Sequence, residues 1–400
     1  MALLLSLPST LAPAIAQSGS PPAVFADQGV PPFCSWRNVT GATQGTAGFA
    51  EGNSTMWITY YYAYPGQLLH IKGQYPYARF MAFTVQPVSR DDSGAVRFVT
   101  TGSAHLYDMD IRPDKGSINP FAPGADRNAS KRFYNVWIRF KPLTGKPRGN
   151  TLFGGASGLG ALSFRVYGPD KGRDAKGGMP LPTIDKWIFH SDGSKPDIVH
   201  LPLCSSVSRL SASAISQQLS KAFAKAPPDT WKPLPSSGQD SLQDYSLLAA
   251  RLPSRSNLTV LRFVAPSFPN TWYGRRITGH EQVRYWSVCA YGLTSGRSNG
   301  CVADYQAHLD THGYVTIVVG DDSLRPKAPP ALRSANWLSF GREQQSVLIY
   351  RQLIPARGFT QALPGPTGSD SGLRPRMGPY YPTLTTCTSG DWSAGRCRPS

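Results

Sequence analysis

The chain has 400 residues and a net charge of +17, from 41 Lys and Arg against 24 Asp and Glu, yet only 16% of its residues are charged. Gly (39) and Pro (36) are abundant, and 18 Tyr, 17 Phe and 9 Trp accompany them. This composition argues against long-helical and disordered proteins and for a turn-rich, aromatic β protein. The length exceeds one ordinary core, so two domains are expected. The basic field favours polyanionic partners such as acidic glycans or a phosphate-bearing envelope.

Residues 1–16 read as a signal peptide, an apolar run ending at Ala14-Ile15-Ala16, although the usual positive start is missing. The predicted location is secreted or periplasmic. No other apolar run is long enough to span a bilayer. A first β domain is predicted over 17–205. Its strands are short β-branched or aromatic runs bounded by Gly, Pro, Asn and Asp: "LLHIKGQY", "RFMAFTVQ", "FYNVWIRF" and "ALSFRVYG". The run "MWITYYYAY" (56–64) places aromatics on both faces of a strand. One set belongs to the core, and Tyr60 and Tyr62 on the other can stack on sugar rings. From Arg139 to Lys176 the loops "KPLTGKPRG" and "DKGRDAKGG" concentrate positive charge. Lys171, Arg173 and Lys176 are therefore candidates for an anionic ligand.

A helical connector and linker are predicted over 206–256. Ile215, Leu219 and Phe223 recur every fourth residue before Pro227-Pro228, and "LQDYSLLAARL" reads as a second short helix. A second β domain follows over 257–358, then a Gly/Pro/Ser-rich tail over 359–400. Six cysteines, with no zinc-like spacing, imply three disulfides in an exported chain. Proximity favours Cys289–Cys301 and Cys387–Cys397, leaving Cys34–Cys204.

Self-comparison gives the clearest organisation. The segment from Asn150 to Pro169 matches that from Asn336 to Pro355, with Arg165 on Arg351. Upstream, Arg79 aligns with Arg284, Asp108 with Asp304, Asp114 with Asp310, and Tyr134 with Tyr314. Four blocks in the same order predict a mostly β fold of two tandem duplicated, jelly-roll-like β-sandwich domains joined by a short helical connector. Residues kept in both copies are expected to be architectural. The competing reading of Arg165 and Arg351 is a pair of equivalent anion sites.

The ordered motifs "GQYPYARFMAF", "DMDIRPDKGSINPF", "RVYGPDKGRDAKGGMPLP", "RYWSVC", "CVAD", "NWLSFG" and "YRQLIP" resemble a group of uncharacterised secreted bacterial proteins. Parts of the chain are similar to the DUF1214-type β-sandwich module. The resemblance implies the fold and no established activity, so no catalytic residue is carried over from it.

Chemistry-bearing residues are sparse. In "HLDTH", His308, Asp310 and His312 alternate and would share one face of a strand, as in a metal or acid/base site. The alternative is a hairpin opened by Asp310. Asp108 and Asp110 would be neighbouring carboxylates on one strand, a weak fit to glycoside hydrolysis. With Asp114 they resemble a calcium loop only loosely, so structural calcium is the one cofactor left open. No G-x-S-x-G, H-E-x-x-H or phosphate-loop motif is present. No nucleic-acid reader motif is present either, so no specific nucleic-acid partner is expected. The favoured expectation is a secreted, non-catalytic binding or envelope-associated protein for anionic glycans. The alternative is a secreted glycan hydrolase with carboxylates or histidines converging between the domains.

Overall fold

The computed structural model describes residues 34–41, 49–90, 96–99, 102–141, 149–205, 208–209, 221, 223, 225–234, 245–364 and 370–397. The predicted leader lies outside these residues, as does most of the predicted connector helix. The first half contributes β1 (Asn38–Gly41), β2 (Ser54–Ala63), β3 (Gln67–Gln74), β4 (Ala78–Arg90), β5 (Val96–Phe98), β6 (Ala104–Tyr107), β7 (Phe133–Arg139), β8 (Thr151–Phe153), β9 (Gly158–Pro169), β10 (Thr183–Ile188), β11 (Asp197–Leu201) and β12 (Ser208–Arg209). The second contributes β13 (Lys232–Pro233), β14 (Tyr245–Arg251), β15 (Asn257–Val264), β16 (Tyr285–Gly292), β17 (Ser298–Ala303), β18 (Tyr314–Gly320), β19 (Asn336–Ser339), β20 (Ser346–Leu353) and β21 (Thr383–Thr388).

Each half is a β-sandwich, because alternate residues along its strands are apolar and must be covered. In the first, a large sheet ordered β12-β1-β2-β9-β4-β5, with β6 also on β4, faces a small sheet ordered β11-β10-β3-β7-β8. Trp57, Phe83 and Phe164 from one and Ile71, Val136 and Ile184 from the other fill the space between. In the second, β13-β14-β20-β16-β17 faces β19-β18-β15-β21 around Trp286, Tyr350, Phe263 and Ile317. Burying each such side chain contributes about 1.5–3 kcal/mol.

The strand orders of the two halves coincide. The run β2-β9-β4-β6 recurs as β14-β20-β16-β17, and β10-β3-β7-β8 recurs as β21-β15-β18-β19, including the parallel pairs β7–β8 and β18–β19. Register coincides as well: Arg165 lies opposite Ala82 and Met56, and Arg351 lies opposite Ser287 and Leu247. The aligned asparagines make the same clamp. Asn150 bonds the backbone N–H and C=O of Arg112 and the carbonyl of Asn135. Asn336 does the same to His308 and Thr316. These clamps correct one alignment: Asn135 corresponds to Thr316, so Phe133, not Tyr134, stands where Tyr314 does. A slip of one residue exchanges faces, and Tyr134 is buried in the core whereas Tyr314 is half-exposed.

Two segments differ from expectation. "YSLLAAR" forms β14 rather than a helix, because it lies between β13 and β20 with both faces covered. Leu248 and Ala250 enter one cluster and Ala249 another. A short run apolar on both faces has no period to separate strand from helix. The tail is likewise not all loop: it holds a helix over Asp370–Met377 and β21, the edge strand beside β15. The second sandwich therefore extends beyond 257–358 at both ends. All three disulfides form as paired by proximity.

The two large sheets pack outer face to outer face, with Phe80, Ala82 and Tyr167 against Tyr285, Ala303 and Leu353. The segment before β2 crosses this seam: Tyr285 and Tyr291 hydroxyls donate to the Glu51 carboxylate and the Ala50 carbonyl. Gly52 passes so near the Cys289–Cys301 bridge that a Cβ would sit 2.9 Å from Cys301 Sγ. Gly52→Ala is expected to cost about 1–3 kcal/mol by overpacking, read as a lower midpoint in urea with an unchanged slope.

Candidate functional site

The seam takes up the residues that both halves share. Arg79 Nη1 lies 2.6 Å from Asp304 Oδ2, and Arg284 Nη1 lies 3.3 Å from Asp108 Oδ1. Each sandwich thus lends an arginine to the other's aspartate, and all four side chains are buried. Burial pushes both carboxyls up to about 6, against the opposing pull of Arg284 on Asp108 and Arg79 on Asp304. Asp108 also accepts the N–H of Met81, as Asp304 accepts that of Trp286. Arg165 lies over Phe80 and Tyr167, and Arg351 lies over Tyr291 and donates to the Phe49 carbonyl. Both arginines are buried in the seam, not at the floor of open pockets.

The carboxylates proposed for hydrolysis do not converge. Asp108 and Asp110 lie on a short 3-10 turn rather than a strand, one buried in the seam and the other exposed. Asp114 is held at both oxygens by Asn135 Nδ2, so the three aspartates form no calcium cage. Among the described residues one His/Cys/Asp/Glu group has ligand atoms close enough for a metal, Glu51 with Cys289 and Cys301. The two sulfurs are bonded to each other, so they offer no thiolate.

"HLDTH" is a hairpin. Asp310 Oδ1 accepts the backbone N–H groups of His312 and Tyr314, and Oδ2 accepts from Arg262 at 2.8 Å. The Tyr314 N–H, reinforced by Arg262, holds the Asp310 carboxyl below its ordinary value. It is a fixed acceptor, poorly suited to proton transfer. His312 turns to Thr311, while His308 borders a recess of about 250 Å³ with Arg262, Tyr314, Thr316 and Ser334.

The outer face of the first small sheet carries partly exposed aromatics and an ionic row, over Leu68, His70 and Asp185, which are themselves buried. Leu68, His70 and Lys72 point outward from β3 because Leu69 and Ile71 point into the core. In register beside them stand Trp137 and Asn135 on β7, Trp187 and Asp185 on β10, and Ile198 and His200 on β11. Asp185 takes Lys72 Nζ at 2.8 Å and His200 Nδ1 at 2.9 Å. Burial alone would raise the Asp185 carboxyl, but the bonds from Lys72 and His200 hold it below its ordinary value. His70 stacks on Trp137 at 3.7 Å and meets Asn135 Oδ1 through Nε2 at 2.6 Å. Desolvation lowers its pKa, which favours the neutral ring. Trp187 stands edge-on to Trp137, and beyond it Phe189 and Ile198 are 47% and 55% exposed. An aromatic ridge thus runs beside a fixed ionic row.

Of the predicted aromatics, Tyr60 is half-buried and Tyr62 packs at a tilt against Tyr64. In the basic loop Lys171 and Arg173 are exposed, Arg173 lies over the Tyr77 ring, and Lys176 is paired with Asp174. Most of "KPLTGKPRG" lies outside the described residues.

No family model matches the chain, and no curated protein matches it. Among solved structures, an uncharacterised protein from Burkholderia cenocepacia aligns over 90% of this chain and 84% of its own, with TM-score 0.51 and 11% identity. A protein from Vibrio parahaemolyticus aligns over 85% and 90%, with TM-score 0.38 and 12% identity. The first shares the fold, and neither brings a function.

Proposed function

We propose that the protein is an extracytoplasmic, non-catalytic binding protein for acidic glycans, secreted or periplasmic once a leader over 1–16 is removed. The observation that carries this reading is the outer face of β11-β10-β3-β7. Its Trp137–Trp187–Phe189 ridge offers apolar aromatic surface, and the Lys72–Asp185–His200 row offers donors and acceptors held in one geometry. Sugar rings need both, apolar CH faces on aromatics and fixed polar groups for the hydroxyls. The excess of positive charge supplies long-range attraction for an acidic chain. Three disulfides fit an oxidising compartment. The matching strand orders favour a tandem duplication, and the motif resemblance to uncharacterised secreted bacterial proteins of DUF1214 type belongs to the same proposal.

Trp187→Ala is expected to weaken binding of a soluble polyuronate at least tenfold, about 1.4 kcal/mol, without changing the thermal midpoint greatly. Titration calorimetry on wild type and variant checks it. Equal affinities would remove this face from the reading.

A further inference from the structure

Arg127 and Arg132 lie in the loop before β7, and their relative exposures are 1% and 0%. Arg127 Nη2 serves the Ala78 carbonyl and both oxygens of Asp170, but its Nε and Nη1 have no hydrogen-bond acceptor among the described residues. None of the three guanidinium nitrogens of Arg132 has one in good geometry, the Tyr77 side chain supplying only a weaker polar contact. Arg132 instead lies over the Tyr77 ring at 3.6 Å, the same ring that carries the exposed Arg173 at 4.4 Å. Asp170 is the carboxylate shared by this group, and nearby Arg79 is committed to Asp304.

A guanidinium cannot escape burial by losing its proton, as a lysine can. Burial without a well-placed acceptor is therefore costly for Arg132, and an anion supplying oxygens to the open N–H groups removes that cost. Two guanidiniums, Arg127 and Arg132, bear on the one carboxylate of Asp170, and Arg173 stands near Arg132, so the local charge also calls for an anion. The planar N–H fork matches a group with two or three equivalent oxygens. Exposed Arg173 stands over Tyr77 as the outward flank of the cluster, with Lys171 exposed two residues before it.

We propose that Arg127 and Arg132 form a recessed oxyanion site beneath Tyr77 and the 170–178 loop, taking one carboxylate, sulfate or phosphate group. Entry requires Arg173 to lift from the Tyr77 ring. The site uses none of the sheet-face residues, so it stands or falls separately from the glycan reading.

The test is thermal unfolding of the full mature chain in inorganic sulfate, in inorganic phosphate and in glucuronate, each against chloride at equal ionic strength. Wild type should rise in midpoint saturably with the oxyanions and not with chloride. Arg132→Met should lose the oxyanion response, with apparent affinity falling at least tenfold, and Trp187→Ala should keep it. A response to glucuronate but not to the inorganic ions would assign the site to a ligand's carboxylate, and the reverse would assign it to a free anion. If Arg132→Met does not fold, selenate soaked into wild-type crystals should give an anomalous peak between Arg127 and Arg132. Equal stabilisation by sulfate and chloride, or selenate bound only at surface lysines, overturns the proposal.

Discussion

Arg79→Met is expected to cost about 3–5 kcal/mol at neutral pH, because it leaves the Asp304 carboxylate buried without its countercharge. The Arg79 guanidinium is the cation on Asp304, and Arg79 Nε also holds Thr271 across the seam. Asp304 keeps only backbone donors, the N–H groups of Trp286 and Tyr305. The double variant Arg79→Met/Asp304→Asn should recover most of the loss. The amide oxygen still accepts the shorter of those two bonds, from the Tyr305 N–H, and no charge remains to desolvate. Arg284→Met should behave alike through Asp108, since the pairing is reciprocal. Denaturant unfolding of the single and double variants measures this. Near-equal stability of Arg79→Met and wild type would mean that the seam does not rest on these pairs.

The second large effect is on pH. Burial raises the carboxyls of Asp108, Asp304 and Asp229 to about 6 from an ordinary value of 3.8. Burial also raises those of Glu51 and Asp170. A carboxyl raised on folding binds its proton more tightly in the native state. Its contribution is therefore fully present below the unfolded value and lost as pH rises through about 6. His70 works in the opposite sense: burial lowers its pKa, so its contribution fades as pH falls below the ordinary histidine value. Asp185, Asp310 and Asp321 are lowered, and their contributions fade only below the ordinary carboxylate range. Between about pH 7.5 and 5 the raised carboxyls outnumber the histidine, those of Asp108, Asp304 and Asp229 each giving on the order of 1 kcal/mol. The melting temperature should rise by several degrees on acidification over that interval. In Arg79→Met the rise should be larger still, because protonation then relieves an unpaired Asp304. A melting temperature that falls steadily from pH 7.5 to 5 would contradict the assignment of these groups.

The strands were legible because period-two alternation bounded by Gly and Pro needs no tertiary information. The Arg79/Arg284 and Asp108/Asp304 correspondence was equally legible in the sequence, and the burial of all four side chains in the seam accords with an architectural role. That each arginine serves the other half's aspartate was not legible, since no spacing states how two sandwiches pack. β14 and β21 were missed for local reasons: "SLLAA" is apolar on both faces, and "TLTTCT" sits in a Gly/Pro/Ser-rich tail. The sheet-face site was missed because each strand supplies only one or two of its residues. His70, Asp185 and His200 lie far apart in the chain and meet only in the register of β3, β10 and β11. The one signal available was the polar Lys72 and His70 alternating with Leu69 and Ile71. "HLDTH" drew attention because its polar residues are contiguous, yet contiguity there serves a turn.

Binding without turnover is the central claim, and one experiment addresses both halves of it. The mature protein is titrated calorimetrically with a polyuronate of defined length, and the recovered glycan is sized by chromatography after prolonged incubation. Saturable binding that weakens with salt, together with an unchanged chain length, is the predicted result. Shortened glycan, or no binding at low ionic strength, would contradict it.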